Sequence, residues 1–511
     1  MAENIHTFPK IVMATAATLV GAYNVAAELL ETGNESGAED TLRNALGARE
    51  SFGCDGGADV EAKVLVLLGK LIEWKNAPEA LALYKKALAL CRRGETLCAQ
   101  ARLSWKLATL QKNVDDAGAA LKTGWEWCVA RDEEGTVDED EFQECGLLYA
   151  RYLSQRPACK REFHVVLSEL GYEYTIAHSI LSGNSASLVE MPPSSECPAF
   201  IVDDALSDEM LAHMQRSFAP ESPYYSDHRY GSPSTGFFSN QISLAIPAST
   251  TLERAIHMVW KTSSMAYPAL KNAEFAEFWA HQRSFTSGHG FHYDITKGPA
   301  AKKARHPIAS TVLYLTAEAD VGGPTLVLDA TESSDGNASA GWLAYPKLNR
   351  ILIFKGQHMH AVMPGAIPPP SASIRRITFM VSFYSCDPGA PTYSSVSVNV
   401  PWKALADSPL PETAHARKTH PKTKAVARIV DPLWEAVQQS PSTDAKNEDG
   451  AARSAKRPRR TCVQKLNFMQ ENVYAHFQAL DSGILVGSQT TCSLNCGGGC
   501  DECRGFKKND E

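Results

Sequence analysis

The sequence predicts a multidomain α + β chain: an all-helical N-terminal region, a strand-rich domain in the middle, and a C-terminal extension that is partly disordered. Three observations carry this. Residues 11–157 repeat apolar side chains at helical spacing, as in VEAKVLVLLGKLIEW and APEALALYKKALAL. Residues 278–387 instead hold short β-branched and aromatic runs broken by Gly and Pro, such as STVLYLT, TLVLD and RRITFMVSFY. The stretch SPSTDAKNEDGAARSAKRPRR is too poor in apolar residues to build a core. At 511 residues the chain exceeds what one core organises.

Composition narrows the function classes. A hydrophobic share of 44% and a charged share of 21% are ordinary for globular protein. A net charge of −8 argues against a general nucleic-acid surface. Thirteen cysteines, an odd number scattered except near the C-terminus, read as a reducing compartment and not as a disulfide framework. Residues 11–27 carry no charge, which raises a signal peptide or a membrane span. The stretch is rich in Ala and Thr, follows no basic cluster and runs into Glu28–Glu31, so a first repeat helix is the expectation and no membrane attachment follows. A cytoplasmic location is expected on that basis.

In chain order, the helical region spans residues 1–183. Leu67, Gly69, Ala80, Tyr84 and Ala87 resemble the small-and-large pattern of a tetratricopeptide repeat: small residues let two helices approach and the tyrosine fills the gap. LCAQARLSWKLATLQ with DDAGAALKTGWEWC forms a second helical pair, and TLVGAYNVAAELL with GAEDTLRNALGAR an earlier one. Such an array binds a protein or peptide on its concave face; a plain helical bundle that shores up the rest is the other reading. The acidic run Asp132–Asp140 is expected to be a solvated loop, since it lacks calcium-loop spacing. Residues 184–198, rich in Ser and Pro, read as a linker. Phe200–Leu206 reads as a strand, followed by a helix opening at Ser207 with Asp208 and Glu209 in its first turn. Tyr224, Tyr225, Tyr230, Phe237 and Phe238 form an aromatic cluster expected to be core packing, and residues 251–280 read as helices.

The chemistry concentrates after residue 278. His292-x-Asp294, a GGPT turn, His360 at a strand end and Arg376 two residues before Thr378 occur in fixed order. Fe(II) that must accept both O2 and a co-substrate needs open positions, and two imidazoles with one carboxylate on one face leave three. Residues i and i+2 of a strand share a side, so His292 and Asp294 can act together, and His360 supplies the third ligand from another strand. His358 shares that strand face, so either histidine can reach a metal. The open positions suit 2-oxoglutarate, whose far carboxylate needs a cation. Arg376 fits through two parallel hydrogen bonds, with Thr378 and Tyr314 as candidate hydroxyl partners. Arg375 is adjacent, and the Arg-x-Thr pattern picks Arg376. His289 and Arg283 either line a substrate mouth or are solvated loop residues. His-x-Asp alone is weak, since about one match is expected by chance among 15 histidines.

FWAHxR, SGHxFHxD, HPIxSTVLYLT, GGPTLV, GWLxYPKxNRxxxF, HxVxPG and RRITFMVSFY together resemble the 2-oxoglutarate/Fe(II) dioxygenase domain in its prolyl-hydroxylase-like branch. The resemblance covers roughly residues 195–388. It implies a double-stranded β-helix (jelly-roll) domain over 199–388, with a barrel core at about 276–388. It implies His292, Asp294 and His360, in preference to His358, as Fe2+ ligands and Arg376 as the 2-oxoglutarate anchor, with O2 as oxidant and ascorbate a candidate accessory reductant. It names no substrate; a protein side chain or small molecule is expected.

Residues 389–435 read as a mixed extension, 436–461 as a disordered basic linker and 462–511 as a tail. KRPRR at Lys456–Arg460 resembles a nuclear import signal, which makes a nuclear location the alternative. Cys492, Cys496, Cys500 and Cys503 suffice for one tetrahedral Zn2+ site, a redox-sensitive tail being the other reading. Two function classes remain: a dioxygenase, or a helical-repeat scaffold whose jelly-roll domain is non-catalytic.

Overall fold

The computed structural model describes residues 18–438, apart from 32–33, 49–56, 73–75, 91–113, 135–138, 173, 183–187, 193–196, 229–238, 284–288, 296–304, 317–322, 332–337, 364–374, 412–420 and 431. Two compact units part between Tyr149 and Ala150.

The first unit is helical: α1 (Leu19–Glu31), α2 (Glu35–Gly47), α3 (Gly57–Ile72), α4 (Ala77–Leu90), α5 (Val114–Glu133) and the start of α6 (Glu139–Ser154). Asn34 caps α2, its side-chain oxygen accepting from the Gly37 amide at 3.0 Å. Leu42, Leu65, Leu68, Ile72 and Tyr84 share one core. Gly69 and Tyr84 explain the close approach of α3 to α4: a Cβ on Gly69 would lie 2.4 Å from Tyr84 Cε1. Gly69→Ala is therefore expected to cost about 1–3 kcal/mol as an overpacked contact, read as a lower midpoint in urea unfolding. The acidic run does not form one loop, since α5 extends through Glu133 and α6 begins at Glu139. LCAQARLSWKLATLQ lies outside the described residues.

The second unit opens with the end of α6, then α7 (Lys160–Glu169), β1 (Tyr174–Ile176), α8 (His178–Leu181), β2 (Leu188–Met191), β3 (Ala199–Asp203), α9 (Asp208–Ser217), α10 (Pro223–Asp227), β4 (Asn240–Ser243) and α11 (Thr251–Ala266). It continues through β5 (Phe275–Arg283), β6 (His289–His292), β7 (Ala309–Tyr314), β8 (Thr325–Thr331), β9 (Gly341–Ala344), β10 (Ile351–Lys355), β11 (His358–Val362) and β12 (Arg376–Tyr384). It ends with α12 (Pro401–Ala406), β13 (Lys422–Lys424), β14 (Val426–Ile429) and β15 (Trp434–Ala436). As expected, Ser207 caps α9, accepting from the Met210 amide. Thr250 and Glu253 form a capping box on α11. The helical reading of residues 251–280 stops short: α11 ends at Ala266, and from Phe275 outward-facing Ala276, Phe278 and Ala280 alternate with inward polar residues, a strand period.

Two antiparallel sheets follow, β13-β3-β10-β7-β12-β5-β4 and β2-β14-β9-β8-β11-β6. Ile201, Val312, Leu352 and Phe354 of the large sheet pack with Val327, Ala344 and Val426 of the small one, so the sheets face each other. The outer face of the large sheet is covered by α9, α11 and α12 through Met214, Ile256, Val259 and Trp402. Tyr224 and Tyr225 belong to this core, as expected of the aromatic cluster; Tyr230, Phe237 and Phe238 lie outside the described residues.

Segments expected to be peripheral are built in. The linker contributes β2, which pairs with β14 of the extension, and β13 pairs with β3. Residues 150–183 fold with the second unit: β1 pairs with β15, and Glu435 accepts from Lys160 Nζ at 2.6 Å and from the His178 amide at 2.8 Å. The NR of GWLxYPKxNR is structural. Asn349 takes φ +60°, where Asn is tolerated, and its amide closes two hydrogen bonds with the Leu206 backbone. Arg350 forks onto Asp203, tying the start of β10 to β3. No helix among the described residues is long and apolar enough to cross a membrane.

Candidate metal centre

β11 runs between β6 and β8, and its register sets His360 directly opposite His292. Opposite residues of an antiparallel pair project to one face about 5 Å apart, and the two rings meet with centroids 4.1 Å apart. Asp294 lies two residues past the end of β6, so strand alternation does not place it, contrary to the expectation from sequence. Its carboxylate nevertheless reaches both rings: Oδ1 is 3.6 Å from His360 Nε2 and 3.8 Å from His292 Nε2. The three donor atoms lie within 4.8 Å of one another.

His360 and Asp294 are buried, at 2% and 8% exposure, whereas His292 is half-buried. Asp294 Oδ2 and His360 Nε2 have no hydrogen-bond partner among the described residues. Each such buried atom costs about 1–3 kcal/mol, and two beside one another mark a place built for a partner. His360 Nδ1 lies 3.3 Å from the His358 carbonyl. A carbonyl only accepts, so Nδ1 carries the proton and Nε2 presents its lone pair towards Asp294. Phe354 packs against the same ring, centroids 4.4 Å apart. Two imidazoles and a carboxylate are the donor set of a divalent first-row ion, so the residues present fit Fe2+.

His358 stands outside the cluster. Its Nδ1–H donates to the Leu328 carbonyl at 2.8 Å, and the pairing with β8 shifts register between His358 and His360. Burial pulls its imidazole below the ordinary histidine range. His289 sits edge-on to His292, centroids 4.4 Å apart. Arg283 ends β5 opposite Arg376, its side chain lying outside what is described.

Arg376 is 2% exposed and Arg375 is half-buried. On β12, Ile377, Phe379 and Val381 face the helices, which turns Arg376, Thr378 and Met380 to the space between the sheets. Arg376 Nη2 donates to Thr325 Oγ1 at 3.0 Å, and Thr325 is 2.9 Å from Tyr314 OH. Tyr314 OH donates to the Ala344 carbonyl at 3.2 Å, so the Thr325 hydroxyl must donate to Tyr314 and accept from Arg376. The guanidinium lies 5.2 Å from the Tyr314 ring centroid. Thr378 is opposite Tyr314 and equally buried, and its Oγ1 has no hydrogen-bond partner among the described residues.

Thr325 is the member that sequence reasoning missed. It is the threonine of GGPT, visible as a motif, but its role depends on which strands flank β8. The four tail cysteines and KRPRR lie outside the described residues.

No family model and no curated protein matches the sequence. Among solved structures, a Pseudomonas putida prolyl-4-hydroxylase is similar at 14% identity over 38% of this chain and 97% of its own, with TM-score 0.23. A viral collagen prolyl hydroxylase from Paramecium bursaria Chlorella virus-1, in a 2OG complex, is similar at 13% identity over 38% and 98%, TM-score 0.24. HygX from Streptomyces hygroscopicus, with iron bound, is similar at 8% identity over 38% and 83%, TM-score 0.21. At TM-scores this low the likenesses carry neither fold nor function, and the functional reading stands on the site itself.

Proposed function

We propose that this chain is an Fe(II)- and 2-oxoglutarate-dependent dioxygenase that hydroxylates a protein side chain or a small molecule. The observation that carries it is the convergence of His292, Asp294 and His360 between two antiparallel sheets, with orphaned buried atoms on two of them. The alternation of β5 to β12 between the sheets supports a jelly roll: β5, β7, β10 and β12 fall in one, β6, β8, β9 and β11 in the other. The helical unit, whose α3–α4 pair carries the small-and-large pattern, is proposed as a tetratricopeptide-like array that presents a protein partner.

When bound, Fe(II) with 2-oxoglutarate and O2 supplies oxidation of a C–H bond to an alcohol, 2-oxoglutarate leaving as succinate and CO2. The chain's own residues do the rest. His292, Asp294 and His360 would hold the ion, and three protein ligands would leave it positions for oxygen ligands. Arg376 holds the far carboxylate of the co-substrate, oriented by Thr325 and Tyr314. Thr325 is two residues along β8 from Val327, the residue opposite His360. That separates anchor and metal centre by about 7 Å along the strand, roughly the reach of a five-carbon dicarboxylate. Arg376, Tyr314 and Thr378 are all nearly inaccessible, so water does not screen the charge at the anchor.

The test is succinate formation by the full chain with 2-oxoglutarate, O2 and ascorbate. Formation that requires added Fe(II) and stops on chelation is expected. Succinate formation indifferent to iron would point to a contaminant, and none under any condition would favour a non-catalytic scaffold.

A further inference from the structure

The space between the sheets is apolar only in part. Where β3, β10 and β7 face β14, β9 and β8 it is filled by Ile201, Leu352, Val312 and Val327. Towards β5 and the edge strand β4 the inward positions turn polar. The register sets His281 opposite Thr378, Trp279 opposite Met380 and Glu277 opposite Ser382, all on the inner face, while Ala276, Phe278 and Ala280 enter the helix-side core. Gln241 of β4 is opposite Glu277 and shares that face.

These residues are buried and rich in acceptors. Glu277 is 7% exposed; its carboxylate accepts from Ser239 Oγ at 2.5 Å and from the Tyr384 hydroxyl, and no lysine or arginine among the described residues pairs with it. Gln241 is 5% exposed; its Nε2 donates to Asp387, while Oε1 is buried with no hydrogen-bond partner among the described residues. The Trp279 indole N–H donates to His281 Nε2 at 3.1 Å. Burial pushes the Glu277 carboxyl up, and the charge of Asp294 pushes the same way, so Glu277 lies within the field of the metal centre.

We propose that Glu277 and Gln241, with the Trp279 ring beside them, read a cationic hydrogen-bond donor, an ammonium or guanidinium, on the molecule that is hydroxylated. The proposal rests on the oxygenase reading and names its substrate class. Charge favours a cation over a neutral donor. A divalent ion on Asp294 and a dicarboxylate on Arg376 sum to zero, so the loaded centre offers Glu277 no counter-charge, and burial favours its neutral form until a cation arrives. A cation brought by the substrate supplies that counter-charge, and Gln241 Oε1 takes a second N–H. Aromatic rings bind such groups on their faces.

The test is calorimetric binding to the full chain loaded with Fe(II) and 2-oxoglutarate under anaerobic conditions. The probes are Nα-acetyl-lysine amide and Nα-acetyl-arginine amide for a peptide source, 1,5-diaminopentane and a free amino sugar for a metabolite source, and Nα-acetyl-norleucine amide as the neutral control. At least one cationic probe is expected to bind tenfold or more tighter than the control. Glu277→Gln, which keeps the Ser239 contact, is expected to erase that preference, and Glu277→Asp to restore part of it. The visible Fe(II)–2-oxoglutarate band is recorded on every sample, since it reports metal and anchor only. A wild type with the band but no preference for cations, or a preference that survives Glu277→Gln, overturns this inference and leaves the oxygenase reading standing. Loss of the band in the wild type defeats the oxygenase reading itself.

Discussion

His360→Ala is expected to weaken Fe(II) binding by at least ~10³-fold and to abolish succinate formation. Loss of a mere supporting partner of a metal ligand costs about 10–100-fold, and His360 is proposed as a ligand. It is the most deeply buried of the three and lies 3.6 Å from the shared carboxylate oxygen. The effect on metal-free stability should be small, because two terms oppose. The variant loses the packing of the ring on Phe354, and it relieves a buried Nε2 that has no hydrogen-bond partner. The lost packing costs about 2–5 kcal/mol and the relieved polar atom returns about 1–3 kcal/mol, so the thermal midpoint of the metal-free variant should fall only modestly. Metal content after dialysis and the thermal midpoint, measured side by side, separate this from unfolding. A His360→Ala protein that retains iron at wild-type stoichiometry would rule His360 out as a ligand.

Arg376→Ala is expected to weaken 2-oxoglutarate binding about 10²–10³-fold while Fe(II) binding persists. Breaking one partner of a buried charge pair costs roughly 2–5 kcal/mol, and this guanidinium is 2% exposed. Arg376→Lys should recover only part of the loss, because an ammonium lacks the planar fork that pairs both carboxylate oxygens. Thr325→Val provides the milder comparison. It removes the acceptor of Arg376 and the donor of Tyr314 while keeping the side-chain shape, and about tenfold is expected from one lost hydrogen bond. Titration of 2-oxoglutarate at saturating Fe(II) ranks the three. Unchanged affinity in Arg376→Ala would move the anchor elsewhere.

How much of this was legible beforehand follows from the range of each signal. Helix starts such as Ser207 were readable because capping is settled within three or four residues. The choice of His360 over His358 was open to strand reasoning, since both share a face. It turned on the motif, and in the structure it coincides with an irregularity in the pairing with β8 that no local pattern announces. Strand alternation does not account for Asp294, because β6 ends at His292. Thr325, Glu277 and Gln241 were invisible for a common reason: their meaning lies in which strand sits opposite, and register is a property of the folded sheet. The strand at Phe275 was hidden by small and aromatic residues that suit a helix as readily. The extension shows little in the sequence because short strands such as Lys422–Lys424 are recruited by existing sheet edges and carry little pattern of their own.

His292, Asp294, His360 and Arg376 are proposed to form one site for Fe(II) and 2-oxoglutarate. The most direct measurement is the visible metal-to-ligand charge-transfer absorption of the anaerobic full chain, with Fe(II) titrated in the presence of 2-oxoglutarate. The expected result is a saturable band in wild type that is absent in His360→Ala and displaced to much higher 2-oxoglutarate in Arg376→Ala. Folded wild-type protein that shows no band at saturating ligand would rule out that site and leave a helical-repeat scaffold with a non-catalytic jelly-roll domain.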